Sequence, residues 1–312
     1  MLSRIAESLF WIGRYVERAD DTARILEIYL HQILEDASVE AEACRAMFEV
    51  MGRPVPEDGP GPGVAEVLQQ LAYDPKAASS ISGSLGAARA NARTARDAVS
   101  SELWEALNLT YLRMDEQSRR ARRTGAHLYF QWVRERAALV AGIADSTMSH
   151  DEGWLFLVLG RNIERVDMMA RLMITTQAMN RSVPSWPTLL RSCGAYEAYL
   201  RTYRGRVSER TAAEFLLLDR LFPRSMFAAL ATAETSLRQL DTSESRLGAT
   251  DQSIRLLGRA RTGLEFRGVD EMLADLSDQL EAIQQACAEA TVALGERYFP
   301  HAVLNWVGEE GA

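Results

Sequence analysis

The chain has 312 residues, 47% of them apolar and 25% charged, with a formal net charge of −8. A chain this long buries a sizeable core without staples, so neither disulfides nor structural metals are needed for stability. The acidic balance argues against a dedicated nucleic-acid binder, which needs a basic surface to neutralise phosphates.

Compartment follows from small signs. Cys44, Cys193 and Cys287 show no paired spacing and suit a reducing setting. The N-terminus carries charge at once and lacks an apolar signal core. The strongest apolar run, 154–159, is far short of the roughly 20 residues a membrane helix needs and reads as a buried helix segment. A cytoplasmic protein without a membrane span is expected.

Helix signals dominate in chain order. Residues 3–36 contain no proline and only Gly13. Ile12, Val16, Ala19, Ala23 and Leu26 recur at steps of three and four, which predicts one long amphipathic helix. A helix over 39–51 follows, then a proline- and glycine-dense loop over 52–63. Helical patterns resume at 64–73. Asp74-Pro75 reads as an N-cap with proline at the first helical position, opening a helix over 75–98. Further helices are expected over 101–116 and 122–147, with Arg119, Arg120, Arg122 and Arg123 ending or linking them. Ser149 and Glu152 read as a capping box for a second long helix, 150–181. The segment 181–187 closes it. Helices over 188–204, 208–221, 223–241, 250–266 and 270–298 complete the reading. No alternating strand pattern is found, so the fold class is all-α. After the last helix, residues 298–307 stay apolar and read as a tail that packs back on the bundle or docks on a partner.

The two long helices match each other. Residues 13–24 read GRYVERADDTAR and residues 160–171 read GRNIERVDMMAR. The identical pairs are Gly13/Gly160, Arg14/Arg161, Glu17/Glu164, Arg18/Arg165, Asp20/Asp167, Ala23/Ala170 and Arg24/Arg171. A second match, Ala65-Glu66, Leu68 and Pro75 against Ala213-Glu214, Leu216 and Pro223, falls at nearly the same spacing. Duplication explains both. It divides the chain into a first half, 1–147, and a second half, 148–312, that includes the tail. The halves are expected to pack as one continuous bundle across a pseudo-twofold axis, with the motif helices near that axis.

On a helical wheel Arg14, Glu17, Asp21 and Arg24 form one stripe, bordered by Asp20 and Arg18. Arg14–Glu17 and Asp20–Arg24 are expected pairs. The second copy puts Met168 where Asp21 stands and is flanked by Met169 and Met173, which predicts deeper burial there. Two roles suit the stripe. One is an arginine–carboxylate ladder that fixes helix register. The other is a polar cleft whose arginine forks hold a carboxylate or phosphate. The glycine ahead of each motif admits a close helix or ligand.

The opening MLSRIAESLFWIGRYVERADDTAR, with Glu164-Arg165 near the middle, resembles the Alpha-E family, a bacterial all-helical family named for its glutamate–arginine motif. The resemblance runs over essentially the whole chain. It implies a partner or substrate-binding subunit in a peptide or amide-bond ligation system. Members of that family occur beside, or fused to, circularly permuted ATP-grasp ligases, with transglutaminase-like and proteasome-like peptidases as companions. The family motif falls on Glu17-Arg18 and Glu164-Arg165. The internal repeat extends the candidate set to Arg14, Asp20, Arg24, Arg161, Asp167 and Arg171.

Other chemistries fit poorly. Inward-facing Glu-x-x-His pairs for a di-metal bundle do not occur. Glu27 and His31 read as a surface pair, and His150-Asp151-Glu152 as helix-start chemistry. An isoprenoid-synthase acid motif is spoiled by Arg24 and Met168. With Lys76 the sole lysine, no phosphate-cradling G-x-x-x-x-G-K-[ST] loop exists. No nucleophile elbow is present, and the cysteines read as small core residues. Neither a metal nor a cofactor is expected. Two alternatives remain beside the partner reading. One is an independent enzyme with Glu17 or Glu164 as general base, and the other is a purely structural scaffold.

Overall fold

In a computed structural model, residues 1–55, 61–178, 186–242 and 248–300 are described. Among them there is no strand, and the chain is all-α as expected. The first helix, α1 (Ser3–Glu35), ends one residue short of the expected position, and α2 (Glu40–Val50) follows. α3 (Val64–Val67) runs on into a wider helical turn, Leu68–Tyr73. Residues 56–60, 179–185 and 301–312 lie outside the described residues. So do parts of the loop, of the segment closing the second motif helix, and most of the apolar tail.

Several boundaries differ from the sequence reading, each for a local reason. Asp74 caps a turn, accepting from the Lys76 amide. The helix α4 (Ile81–Thr94) starts seven residues after Asp74, capped by Ser80, which accepts from the Gly83 amide. The arginine run does not link two helices. It forms the last turns of an unbroken α5 (Ser101–Thr124), where cations favour the helix carboxyl end. The break before α6 (His127–Thr147) falls at Gly125, whose φ of 101° only glycine adopts readily. The second motif helix, α7 (Glu152–Ala178), is capped by Asp151, not Ser149. Asp151 accepts from the Gly153 amide, while Glu152 pairs with the N-terminal ammonium at 3.1 Å. The expected 188–204 helix is two, α8 (Trp186–Ser192) and α9 (Tyr196–Tyr203), divided at Gly194 (φ 64°). α10 (Glu209–Leu218), α11 (Met226–Leu240) and α12 (Gln252–Glu265) stand near their expected places. The last expected helix is split at Asp275 into α13 (Val269–Ala274) and α14 (Leu276–Tyr298).

Helix packing runs in a similar order along both parts of the chain. α1 lies against α4 and α6, α4 against α5, and α5 against α6. α7 lies against α11 and α14, α11 against α12, and α12 against α14. The most extensive helix–helix contact joins α1 to α7. Both motif helices are therefore central. α1 is buried around most of its circumference between Ala6 and Tyr29, so its charged stripe faces protein rather than water. The turns before α4 and α11 share one bonding pattern. In each, an aspartate (Asp74, Asp219) accepts from the amide two residues on and a serine (Ser80, Ser225) donates to its carbonyl. These turns are 145 residues apart, close to the spacing of the two motifs.

Trp104, Trp132 and Trp186 pack against the core as anchors, while Trp306 lies outside the described residues. Phe299, where the tail begins, packs against Phe10 and Phe156. No helix among the described residues is long and apolar enough to cross a membrane.

Candidate functional site

The site grows from two glycines. A Cβ built on Gly13 would lie 2.1 Å from the Leu157 carbonyl oxygen, and one on Gly160 would lie 2.0 Å from that of Phe10. Each glycine is thus the point where its helix touches the other's backbone. Such close approach brings the residues one turn on into reach across the crossing, and the two Glu-Arg pairs reciprocate. Arg18 grips Glu164 through Nε at 2.5 Å and Nη2 at 3.1 Å. Arg165 grips Glu17 through Nε at 2.6 Å and Nη2 at 3.1 Å. Both are two-point guanidinium–carboxylate contacts, the strongest common form of ion pair.

Around this reciprocal clamp the two sides diverge. Arg14 does not pair with Glu17. It crosses to Glu164 at 2.6 Å, reaches Thr291 of α14 at 3.3 Å, and stands 3.8 Å from Asp167. Its counterpart Arg161 does not reach Glu17. It stands 3.6 Å from Asp145 of α6, and its Nε is buried without a hydrogen-bond partner, as is Oδ1 of Asp20. The place beside Glu17 belongs to Arg224, just ahead of α11. Arg224 contacts Glu17 at 2.9 Å and Asp21 at 2.6 Å, and it also donates to Asp20. The expected Asp20–Arg24 pair is present at 3.0 Å, and Arg171–Asp167 repeats it at 3.1 Å. Gln284 of α14 donates to Asp167 as well. Neither copy is uniformly the deeper one. Glu164 is fully buried, yet Asp20 is more buried than Asp167, and Arg14 more than Arg161.

Charge states follow from this geometry. Burial pushes the Glu17 carboxyl up, but Arg165 and Arg224 outweigh it and hold it at about 2. Glu164 is likewise lowered against burial, by Arg14 and Arg18. Arg18 is raised although burial opposes it, because Glu164 lies against it. Arg224 is raised against burial by Glu17, Asp21 and Asp20. Arg161 moves the other way, lowered by burial and by Arg165. Asp21 is the exception among the acids. Burial, reinforced by Glu17 and Asp20 and opposed by Arg224, lifts it to about 7. Ligand atoms of Glu17, Asp20 and Asp21 lie within 4.8 Å of one another, and the Arg224 guanidinium contacts all three acids.

The Asp21 shift makes a prediction. Folded Asp21 holds its proton to about pH 7, whereas its ordinary value is 3.8. The folded chain then binds more protons between those limits. This group's favourable contribution is complete below about pH 4. It is lost as pH rises to about 7, by at most about 1.4 kcal/mol per pH unit. Glu17 has the opposite sign, its contribution present above 4.5 and lost as pH falls toward about 2. Asp21→Asn is expected to flatten the decline of the urea midpoint between pH 5 and 8. An unchanged slope would refute the buried neutral carboxyl.

The other sequence candidates behave plainly. Glu27 pairs with His127 at 2.8 Å and with Arg134, while His31 stands 3.6 Å from Glu35. His150 stacks on Trp154 at the start of α7. Cys44, Cys193 and Cys287 are buried, and burial pushes their thiols to about 11, 12 and 12. They are inert core residues.

Two clefts flank the clamp. One, about 230 Å³, lies between α1, α6 and α7 and is lined by Glu17, Asp20, Arg24, Arg161, Arg165 and Arg224 with alanines of α6. The other, about 550 Å³, lies between α7 and α14 and carries Arg14, Asp167 and Arg171 with polar residues of α14.

A helical protein whose two central helices are locked by reciprocal Glu-Arg pairs is thus defined by that motif. The chain belongs to the Alpha-E family, whose model, a predicted alpha-helical domain with a conserved ER motif, matches residues 1–299. Uncharacterized proteins of Mycobacterium tuberculosis (strain H37Rv) and Mycobacterium bovis are 24% identical over 323 residues, which covers 93% of this chain. The chain spans about a third of the length of these relatives, 36%. No solved structure matches.

Proposed function

We propose that this chain is a helical subunit of an ATP-grasp-type amide ligase system, binding the ligase or its substrate and leaving nucleotide chemistry to the ligase. The observation that carries the reading is the state of the motif. Both glutamates are buried, ionised and gripped by arginine forks. A general base for neutral pH needs a raised pKa, and both glutamates are lowered instead. Asp21 has the raised pKa, but the void beside it is about 20 Å³, room for one water. What stays open is a cleft with arginine on its walls, suited to binding rather than turnover. The peptidases of the same system are further partners on this reading, and a cytoplasmic location fits it.

Native affinity purification of the tagged protein tests the proposal. An ATP-grasp-type ligase is expected in fixed ratio, with ligation that drops when this chain is withheld. Recovery of the chain alone in mild salt, together with ligation indifferent to it, would overturn the reading.

A further inference from the structure

The two flanking clefts occupy related places beside the motif helices but are finished differently. In the α7–α14 cleft, Arg14 is saturated by Glu164, Thr291 and the nearby Asp167. In the α1–α6–α7 cleft, Arg24 is bound to Asp20, Arg165 to Glu17, and Arg224 to the acidic triad. Among the described residues, Arg161 is the arginine on that wall with the most distant partner. Its ion contact is the 3.6 Å approach to Asp145, whose side chain is 45% exposed, and its buried Nε has no acceptor among the described residues. Burying a guanidinium donor without an acceptor costs free energy that an anion would recover.

The balance of charge points the same way. Four guanidinium groups line this cleft against two carboxylates, Glu17 and Asp20. Arg224 is the cause of the asymmetry. By taking the place beside Glu17, it displaces Arg161 from the role Arg14 plays opposite, and it leaves that arginine fork for something else.

We infer that this cleft is a binding site for one small carboxylate, held by Arg161, with its short apolar stem against α6. The carboxylate is favoured over phosphate by the other walls. Ala138, Val140 and Ala141 of α6 offer apolar surface without donors, and Glu17 and Asp20 repel a second negative charge. A volume of about 230 Å³ admits an acid of a few heavy atoms or the carboxyl terminus of a peptide. The site stands independently of the ligase reading, since it concerns the isolated chain.

The test uses the full chain labelled with ¹⁵N-arginine and titrated with propionate, N-acetylglycine and inorganic phosphate while arginine Nε–H signals are followed. Saturable binding of both carboxylates at one site per chain is expected. Arg161→Gln, which removes the fork, and Ala141→Leu, which fills the cleft without changing charge, should each weaken it by about tenfold or more. Unfolding midpoints of both variants are measured alongside, and binding loss with the midpoint retained is the supporting result. Carboxylate binding that survives both substitutions, no saturable binding, or a preference for phosphate would each overturn the assignment.

Discussion

Glu164→Ala is expected to lower unfolding free energy by about 3–5 kcal/mol, the usual cost of removing one member of a buried ion pair. Glu164 is fully buried, and it is the carboxylate that faces both Arg14 and Arg18 at close range. Those arginine side chains are only 11% and 20% exposed, so neither can turn to water to recover its solvation. Arg14 keeps Thr291 and a distant Asp167, while Arg18 keeps only the more distant charge of Asp167. The matched substitution Glu17→Ala is expected to cost about half as much. Its partner Arg224 retains Asp20 and Asp21, and loss of the Glu17 charge lets Asp21 ionise more easily. Urea unfolding at pH 7 measures both. Equal losses would refute the inequality, and a Glu164 loss under about 1 kcal/mol would reduce the clamp to the worth of an exposed pair.

That inequality is where the sequence stops being sufficient. The all-α class, the motif positions and the inert cysteines were legible, because each rests on local periodicity or on a residue type with one common fate. The Asp20–Arg24 pair was legible for the same reason, being four residues apart on one helix. Arg14–Glu17 failed under the same rule. The glycine-to-backbone crossing brings Glu164 closer to Arg14 than its own helix neighbour, and no spacing along one helix encodes that. Arg224 was missed altogether. It meets Glu17, Asp20 and Asp21 from more than 200 residues away, in a turn with no motif of its own. One signal pointed to it. The first copy carries three acids where the second has two and Met168, and a buried acid surplus requires a cation from elsewhere. Helix breaks at Gly125 and Gly194 were readable only as glycines, since their positive φ is set by packing around them.

The glycines themselves carry the remaining large effect. Alanine normally stabilises a helix over glycine by about 1 kcal/mol. At Gly142 of α6, where an added Cβ meets nothing within 4 Å, that gain is expected in full. At Gly160 the same change is expected to cost about 3 kcal/mol net, at the upper end for overpacking. The new methyl would stand 2.0 Å from the Phe10 carbonyl oxygen, whereas ordinary contact is 3.4–4 Å. The obstacle is backbone on the facing helix, so no side chain can swing aside, and α1 and α7 must separate by more than an ångström. A displacement of that size exceeds the tolerance of the two-point contacts from Arg18 to Glu164 and from Arg165 to Glu17. Steric cost and loss of the clamp therefore arrive together. Gly13→Ala should behave alike, since its Cβ would meet the Leu157 carbonyl oxygen at 2.1 Å. Thermal and urea unfolding of the three alanine variants provide the check. Destabilisation at 13 and 160 with stabilisation at 142 is the expected pattern. A neutral Gly160→Ala would mean that the motif helices do not cross where the glycines stand.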